Sequence, residues 1–448
     1  MTPRDDAAGN VRAVTWGNTH LGRRIGTILA AVCAAALVSA PGAAVAVPPA
    51  TPVTDQCPHR QTPPPPVDTS EVVAPGSTTP TALPVPTPAV GGERLSACGV
   101  IADPGAGPIP ERLTSAAWLV ADLDTGAIIA AKDPHGRYRP ASTIKVLLAL
   151  TVLDAGLDLD KMVVPTAEDW SQEGDSCGMG PGGHYTVRDM LSGLLIVSGN
   201  DCAHALAREL GGVSSTLTKM NSLAAHLHAL DTRATTPSGL DAAGMSTSPY
   251  DLALIFRAAM GNSTFREIIS TPTYHFPGYP PRSDVPSDTP HPGYEMQTSD
   301  QLLLQGYPGM LGGKTGYTDD ALKTFVGAAR HGDKTVLIVQ MYGLSTGDDN
   351  YWTQAQSLLE YGFHAPSDTR VGELVAGPNT SASTSATTAS GSPASSGSSA
   401  MTTQADTARP SSAADHSTAT RILVGLVVAL VVVILLAAAT RLVGRRRR

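Results

Sequence analysis

Pro140-Ala141-Ser142-Thr143-Ile144-Lys145 is the stretch on which the reading of this chain turns. The apolar pattern from Ser142 to Leu153 predicts a helix that starts just after Pro140. Residues three apart share a helix face, so Ser142 Oγ and the Lys145 amine can meet there, and a helix N-terminus favours negative charge developing on the serine. A serine hydroxyl needs a base to become a nucleophile. Lysine can serve when burial or a neighbouring cation lowers its pKa. A serine three before a lysine is by itself most often a helix cap beside a surface charge. Here it is rarer than that, because the chain has seven Lys and only Lys145 has Ser three residues earlier.

Two further triplets extend the pattern. Ser198-Gly199-Asn200 follows the apolar helical run Val187 to Val197 and is the only Ser-x-Asn in the chain. Lys314-Thr315-Gly316 follows Gly312-Gly313 and is the only Lys-Thr-Gly. Alone, the first reads as a helix-end turn and the second as a strand entry. Together, in the order Ser-x-x-Lys, Ser-x-Asn, Lys-Thr-Gly, they form the motif set of penicillin-recognising serine enzymes.

On these residues the chain resembles the serine-type D-alanyl-D-alanine carboxypeptidases, low-molecular-mass penicillin-binding proteins of the peptidase S11 family, from about Leu113 to Phe363. Gly239-Leu240-Asp241, Tyr250-Asp251-Leu252 and Gly313 to Thr318 also match that family's pattern. Thr298 and Asp300 stand where the family has Asn-x-Asn before Leu302-Leu303, and Ala321-Leu322 replaces its Ala-Gly. The resemblance implies an α+β fold of the β-lactamase/transpeptidase type, an antiparallel sheet flanked by helices with a mostly helical subdomain. It also implies roles. Ser142 is acylated by the D-Ala-D-Ala carbonyl, Lys145 takes its proton, and Ser198 returns a proton to the departing D-alanine. Asn200 holds Lys145 and a substrate amide, while Lys314 helps to keep Lys145 neutral and, with Thr315, binds the terminal carboxylate. The backbone N–H groups of Ser142 and Tyr317, the latter following Gly316, meet the oxyanion. The partners implied are peptidoglycan stem peptides ending in D-Ala-D-Ala and β-lactams that acylate the same serine. No cofactor or metal is implied.

Outward from the motifs, hairpin signals bracket the domain. Ala116 to Asp122 and Ala127 to Ala131 join through Asp124-Thr125-Gly126, and Thr324 to Ala329 and Thr335 to Tyr342 join through His331-Gly332-Asp333. Helical patterns at Cys202 to Leu210, Pro249 to Met260 and Trp352 to Tyr361 complete a sheet whose strands come from distant parts of the chain. The Pro-dense Thr271 to Asp300 reads as a surface loop.

Composition locates one folded domain in the 448 residues. Only 4% of the chain is aromatic, yet 19 of its 20 aromatics lie between Trp118 and Phe363. Residues 113–365 are therefore read as the catalytic domain, large enough to bury a core. Residues 1–46, with Arg23-Arg24, a short apolar run and Ala44-Val45-Ala46, read as a signal peptide. Residues 47–112, with 16 Pro between Val47 and Pro110, read as an extended spacer. Residues 366–420 are read as a disordered Ser/Thr/Ala stalk. Residues 421–441, holding 19 uncharged residues from Ile422 to Thr440, are read as a transmembrane helix, and 442–448 as a basic cytoplasmic tail. This places the domain on the outer face of the plasma membrane as a single-pass protein. The stalk begins soon after Phe363, so the β-rich C-terminal domain common in the family is not expected.

Outside signal and tail, 22 basic face 37 acidic residues, about −15 net, which argues against nucleic-acid binding. Cys57, Cys98, Cys177 and Cys202 are an even set in an oxidising compartment, and their proximity predicts Cys57 with Cys98 and Cys177 with Cys202. Three rival readings are weaker. A class A β-lactamase needs a deacylating glutamate, and none of Glu209, Glu267 or Glu295 begins a Glu-x-x-Leu-Asn sequence. A zinc peptidase has only His226-Leu227-His228 to offer, with no evident third ligand. A silent peptidoglycan-binding receptor would have no use for Lys145.

Overall fold

The computed structural model describes residues 53–344 and 351–375; the signal, transmembrane and tail readings, and most of the stalk, lie outside the described residues. A seven-stranded antiparallel sheet forms the centre, in the order β1 (Val100–Ala102), β3 (Ala127–Lys132), β2 (Ala117–Asp122), β10 (Lys334–Gly343), β9 (Leu322–His331) and β8 (Met310–Thr318). A short β11 (Gly372–Glu373) pairs with β3 beside β1. The two expected hairpins are β2–β3 and β9–β10. The first turns on Gly126, at φ +83°, and on Asp122 Oδ1, which accepts from Thr125 N–H at 2.7 Å.

Strand periodicity sorts the core onto two faces. Leu119, Ala121, Leu337, Val339 and Met341 point to the helical side, while Trp118, Val120, Val336 and Ile338 point to the other, where Leu358 and Leu359 of the helix Tyr351–His364 cover them. On the helical side lies α1 (Lys145–Asp154), buried from Lys145 through Val152 and apolar between them except at Thr151. Truncating a residue such as Leu147 to Ala here costs about 2–5 kcal/mol. Around it pack α2 (Val187–Ile196), α3 (Asn200–Glu209), α4 (Val213–His226) and α5 (Pro249–Met260). Two of these helices start on side-chain caps. A two-residue ladder of β4 (Met162–Val163) with β5 (Tyr185–Thr186) leads into α2, where Thr186 and Asp189 form a capping box, and Ser248 accepts from Asp251 N–H ahead of Pro249 at the first position of α5.

Four sequence expectations are corrected. The helix expected from Ser142 begins as a 3-10 turn, Ala141–Ile144, and becomes α-helical at Lys145. The Pro-dense 271–300 segment carries a two-stranded hairpin, β6 (Thr273–Phe276) with β7 (Tyr294–Gln297), because Phe276 stacks on Tyr185 at 5.1 Å and Met296 is buried. Residues 53–112 are not an extended spacer. They lie along the domain as a strap, with Leu95 and Ile101 buried, β1 in the sheet and a Cys57–Cys98 disulfide. Prolines prevent collapse but leave carbonyls free, and buried arginines of the domain take them up. Residues 366–375 belong to the domain rather than to a stalk, since Val371 and Leu374 are buried and the Tyr250 hydroxyl donates to Glu373 O at 2.9 Å. No helix among the described residues is long and apolar enough to cross a membrane.

Candidate active site

The 3-10 turn, the loop between α2 and α3, and the edge strand β8 converge on one cleft of about 300 Å³. Its lining includes Ser142, Ser198, Asp175, Ser299, Thr315, Gly316, Tyr317 and Trp352. The nucleophile turn is held in a strained conformation. Ala141 sits at φ +46°, unusual for a residue with a side chain and a cost of about 1–3 kcal/mol. Its surroundings enforce it. Pro140 O accepts from Thr324 Oγ1 at 2.9 Å, and Gly239 lies against the Ala141 carbonyl so closely that a Cβ there would collide with it.

Lys145 is fully buried, and its Nζ has four partners: Ser142 Oγ, Asn200 Oδ1 and Ser238 O at 2.7 Å each, and Ser198 Oγ at 3.4 Å. The Asn200 amide is oriented by its Nδ2, which donates to Glu173 O at 2.6 Å, so the oxygen faces the lysine. Asn200 Oδ1 and Ser238 O can only accept, and they take two amine hydrogens. A neutral amine then directs its one lone pair at Ser142 Oγ, the nearer of the two serine hydroxyls. Burial pushes the Lys145 pKa well below the ordinary lysine value, and the Lys314 charge pushes it further, against Asp175 and Asp201. A lysine whose charge is disfavoured in this way can accept the Ser142 proton.

Lys314 is also buried, and burial lowers its pKa to about 7, with Asp175 and Asp300 opposing. Its Nζ donates to Thr315 O at 2.8 Å, while Thr315 Oγ1 and Ser299 Oγ lie 2.7 Å apart on the cleft wall. This is a cation with two hydroxyls, a fit for a carboxylate. Gly316 packs under the turn; a Cβ there would stand 2.8 Å from Ser142 N. Tyr317 is 59% exposed at the mouth.

The wall beyond Asn200 is the loop 173–179. Asp201 gathers it, accepting from Cys177 N at 2.8 Å, Ser176 Oγ at 2.6 Å and the amides of Gly178 and Met179, and the Cys177–Cys202 disulfide fastens it to α3. Ser142, Lys145, Ser198, Asn200, Lys314, Thr315, Gly316 and Tyr317 are therefore brought together. Cys57 and Cys98 are joined elsewhere, on the strap. Sequence reasoning missed Ser238, whose carbonyl serves Lys145, and Ser299. Both adjoin residues already singled out, Ser238 just before Gly239 and Ser299 between Thr298 and Asp300. Asp300 caps the turn Gln301–Leu304 through Oδ1, and burial raises its pKa to about 6.

His226 and His228 are exposed at the end of α4. A buried group of His135, Asp231 and Asp251 has metal-ligand spacing, but protein partners occupy it. His135 Nδ1 is 2.8 Å from Asp231 Oδ2, Arg137 Nε donates to Asp231 Oδ1 at 3.0 Å, and Asp251 Oδ2 accepts from Asp231 N.

Comparison with known proteins agrees with this geometry. Residues 105–344, more than half of the chain, match the peptidase S11 family, described as D-alanyl-D-alanine carboxypeptidase. The D-alanyl-D-alanine carboxypeptidase DacB2 of Mycobacterium tuberculosis is 47% identical over 273 residues, 60% of this chain and 89% of that protein. The crystal structure of a penicillin-binding protein homologue from M. tuberculosis superposes with a TM-score of 0.56 at 45% identity, covering 61% of this chain and all of that one. The Streptomyces K15 DD-transpeptidase does so with a TM-score of 0.52 at 28% identity, over 57% and 99%. A lysine-activated serine under a Lys-Thr-Gly strand, on this sheet and over this matched length, makes the chain a member of the D-alanyl-D-alanine carboxypeptidase family, peptidase S11, a family of serine hydrolases.

Proposed function

We propose that this enzyme removes the terminal D-alanine from peptidoglycan stem pentapeptides through an acyl-enzyme on Ser142, and that β-lactams inhibit it by acylating the same oxygen. The observation that carries this is the Lys145 amine, with two hydrogens committed to acceptors and its third direction on Ser142 Oγ at 2.7 Å.

The steps balance on this chain's own groups. Neutral Lys145 takes the Ser142 proton as Oγ attacks the carbonyl of the penultimate D-alanine. The charge that develops on the carbonyl oxygen falls beside Ser142 N–H and the strand edge after Gly316. The carboxylate of the last residue meets Lys314, Thr315 and Ser299. When the C–N bond breaks, the departing amine takes the proton from Lys145 through Ser198, whose Oγ lies 3.4 Å from Nζ. Water then gives a proton back along the same path, attacks the ester and restores Ser142. A labelled penicillin tests this directly. Peptide mapping should find the adduct on the peptide holding Ser142 in the parent and none in Ser142→Ala. An adduct on another residue would overturn the assignment.

Export and anchoring belong to the same reading. The signal-like 1–46 and the 19 uncharged residues before Arg441 support a protein held in the plasma membrane with its cleft towards the cell wall. Truncation after residue 420 should shift the enzyme from the membrane fraction to the medium; retention in the membrane would refute the anchor.

A further inference from the structure

We propose that the proline-rich strap ahead of the catalytic domain is a working part of the active site, and that Arg139 is the positioning residue through which it braces the Ser142 turn. The inference rests on Ser142 being the nucleophile. The family match begins at residue 105, and the strap segment concerned, 53–92, lies ahead of it.

A proline-rich strand has few N–H donors and many free carbonyls, so the surface that holds it must donate. The domain meets it with side-chain N–H groups. Arg137 donates to Gln61 O, Leu83 O and Pro84 O at 2.9, 2.6 and 2.8 Å, Arg233 to Thr81 O at 2.9 Å, and a ring nitrogen of His135 lies 3.0 Å from Val90 O. These contacts explain attachment. A second set points to function.

Residues 64–71 of the strap touch both sides of the nucleophile's setting. Arg139, three residues before Ser142 and 2% exposed, donates to Pro64 O at 2.7 Å and pairs with the Glu71 carboxylate. Asp320 lies in the turn between β8 and β9, three residues after Tyr317, and its side chain is fully buried. It accepts from Val67 N at 2.5 Å and Ser70 Oγ at 3.2 Å. Arg139 Nε and Asp320 Oδ2 are 3.9 Å apart. One eight-residue stretch therefore bridges the turn that presents Ser142 and the hairpin that presents Gly316.

That bridge falls where it matters mechanically. Ala141 is held at φ +46° between Arg139-Pro140 and Ser142, a conformation that persists only while its neighbours enforce it. Gly239 and Thr324 enforce it from the body of the domain, and Glu71, acting through Arg139, enforces it from the strap. Loosening the strap side lets the turn relax, which moves Ser142 Oγ off the Lys145 lone pair and Ser142 N–H away from Gly316.

The test uses the full chain with Glu71→Ala and Glu71→Gln, and Glu93→Ala as a control on an exposed carboxylate of the strap outside the 64–71 stretch. Acylation by labelled penicillin, D-alanine release and thermal midpoint are measured, with rates taken per folded molecule well below each midpoint. Glu71→Ala should acylate about tenfold more slowly, with kcat reduced in step and KM unchanged. Glu71→Gln, which keeps an acceptor for Arg139, should fall between, and Glu93→Ala should match the parent. Should Glu71→Ala fail to fold, Glu71→Gln carries the test alone, with a severalfold loss expected. Parent-like acylation by the folded Glu71 variants, whether or not their midpoints fall, would reduce the strap to a stabiliser and overturn the proposal. Failure of the parent itself to acylate would strike the proposed function instead, so the two failures are distinct.

Discussion

Lys145 Nζ stands 2.7 Å from Ser142 Oγ, three residues earlier in the chain, and 2.7 Å from the oxygen of Asn200, fifty-five residues later. The first contact follows from local turn geometry, while the second requires α3 to be packed against α1. Base and nucleophile are thus set by a helix, and the direction of the base's lone pair by the tertiary fold.

Replacing Lys145 with Met keeps most of the volume and removes the base. Acylation by penicillin should fall by about 10²–10⁴-fold, the usual contribution of a positioned general base. Stopped-flow or gel-based acylation rates measure it, and a loss of less than threefold would mean that Ser142 is activated by another group.

The two buried lysines give a pH profile with a definite sign. Protonated Lys145 has no lone pair, so kcat/KM falls as pH drops through its lowered pKa. Lys314 loses its charge above about 7, which weakens carboxylate binding and makes KM rise on the alkaline side. A bound carboxylate stabilises the Lys314 ammonium, so kcat should decline at higher pH than kcat/KM does. Steady-state kinetics between about pH 5 and 10 check this, and a KM that is flat through the alkaline range would refute the carboxylate role of Lys314.

Gly316→Ala places a methyl 2.8 Å from Ser142 N and in collision with Thr324 Oγ1. Both the backbone donor and the hold of Thr324 on Pro140 O should be disturbed. Acylation should drop by about a hundredfold while the protein stays folded, because the clash is confined to the cleft floor. Circular dichroism with acylation rates on the same sample decides it.

Removing the Cys177–Cys202 bond, which closes 25 residues, should cost about 3.5 kcal/mol of stability on the chain-entropy argument. It should also slow acylation, because the loop it fastens supplies Glu173 O to Asn200. Thermal unfolding and acylation of Cys177→Ser/Cys202→Ser test both parts, and a double variant unchanged in each would remove the wall's structural role.

Much of this was legible in the sequence because it depends on local rules. The serine–lysine spacing, the apolar periodicities of α2 and α5 and the Gly-marked hairpins each require only a few neighbouring residues. What was not legible depends on distant partners. Proline density reads as an extended spacer because prolines cannot make a core, yet the strap is held by Arg137 and Arg139, whose burial appears only in the fold. The β6–β7 hairpin escaped notice because its anchor, Phe276 on Tyr185, spans 91 residues of sequence. Ser238 acts through its backbone carbonyl, which no side-chain pattern marks.

Release of D-alanine from a diacyl-Lys-D-Ala-D-Ala peptide tests the central claim most directly, with Ser142→Ala as control. The parent should release one D-alanine per peptide and lose that activity when pre-treated with penicillin, and the variant should release none. No release by a parent that still binds labelled penicillin, or equal release by Ser142→Ala, would contradict the account.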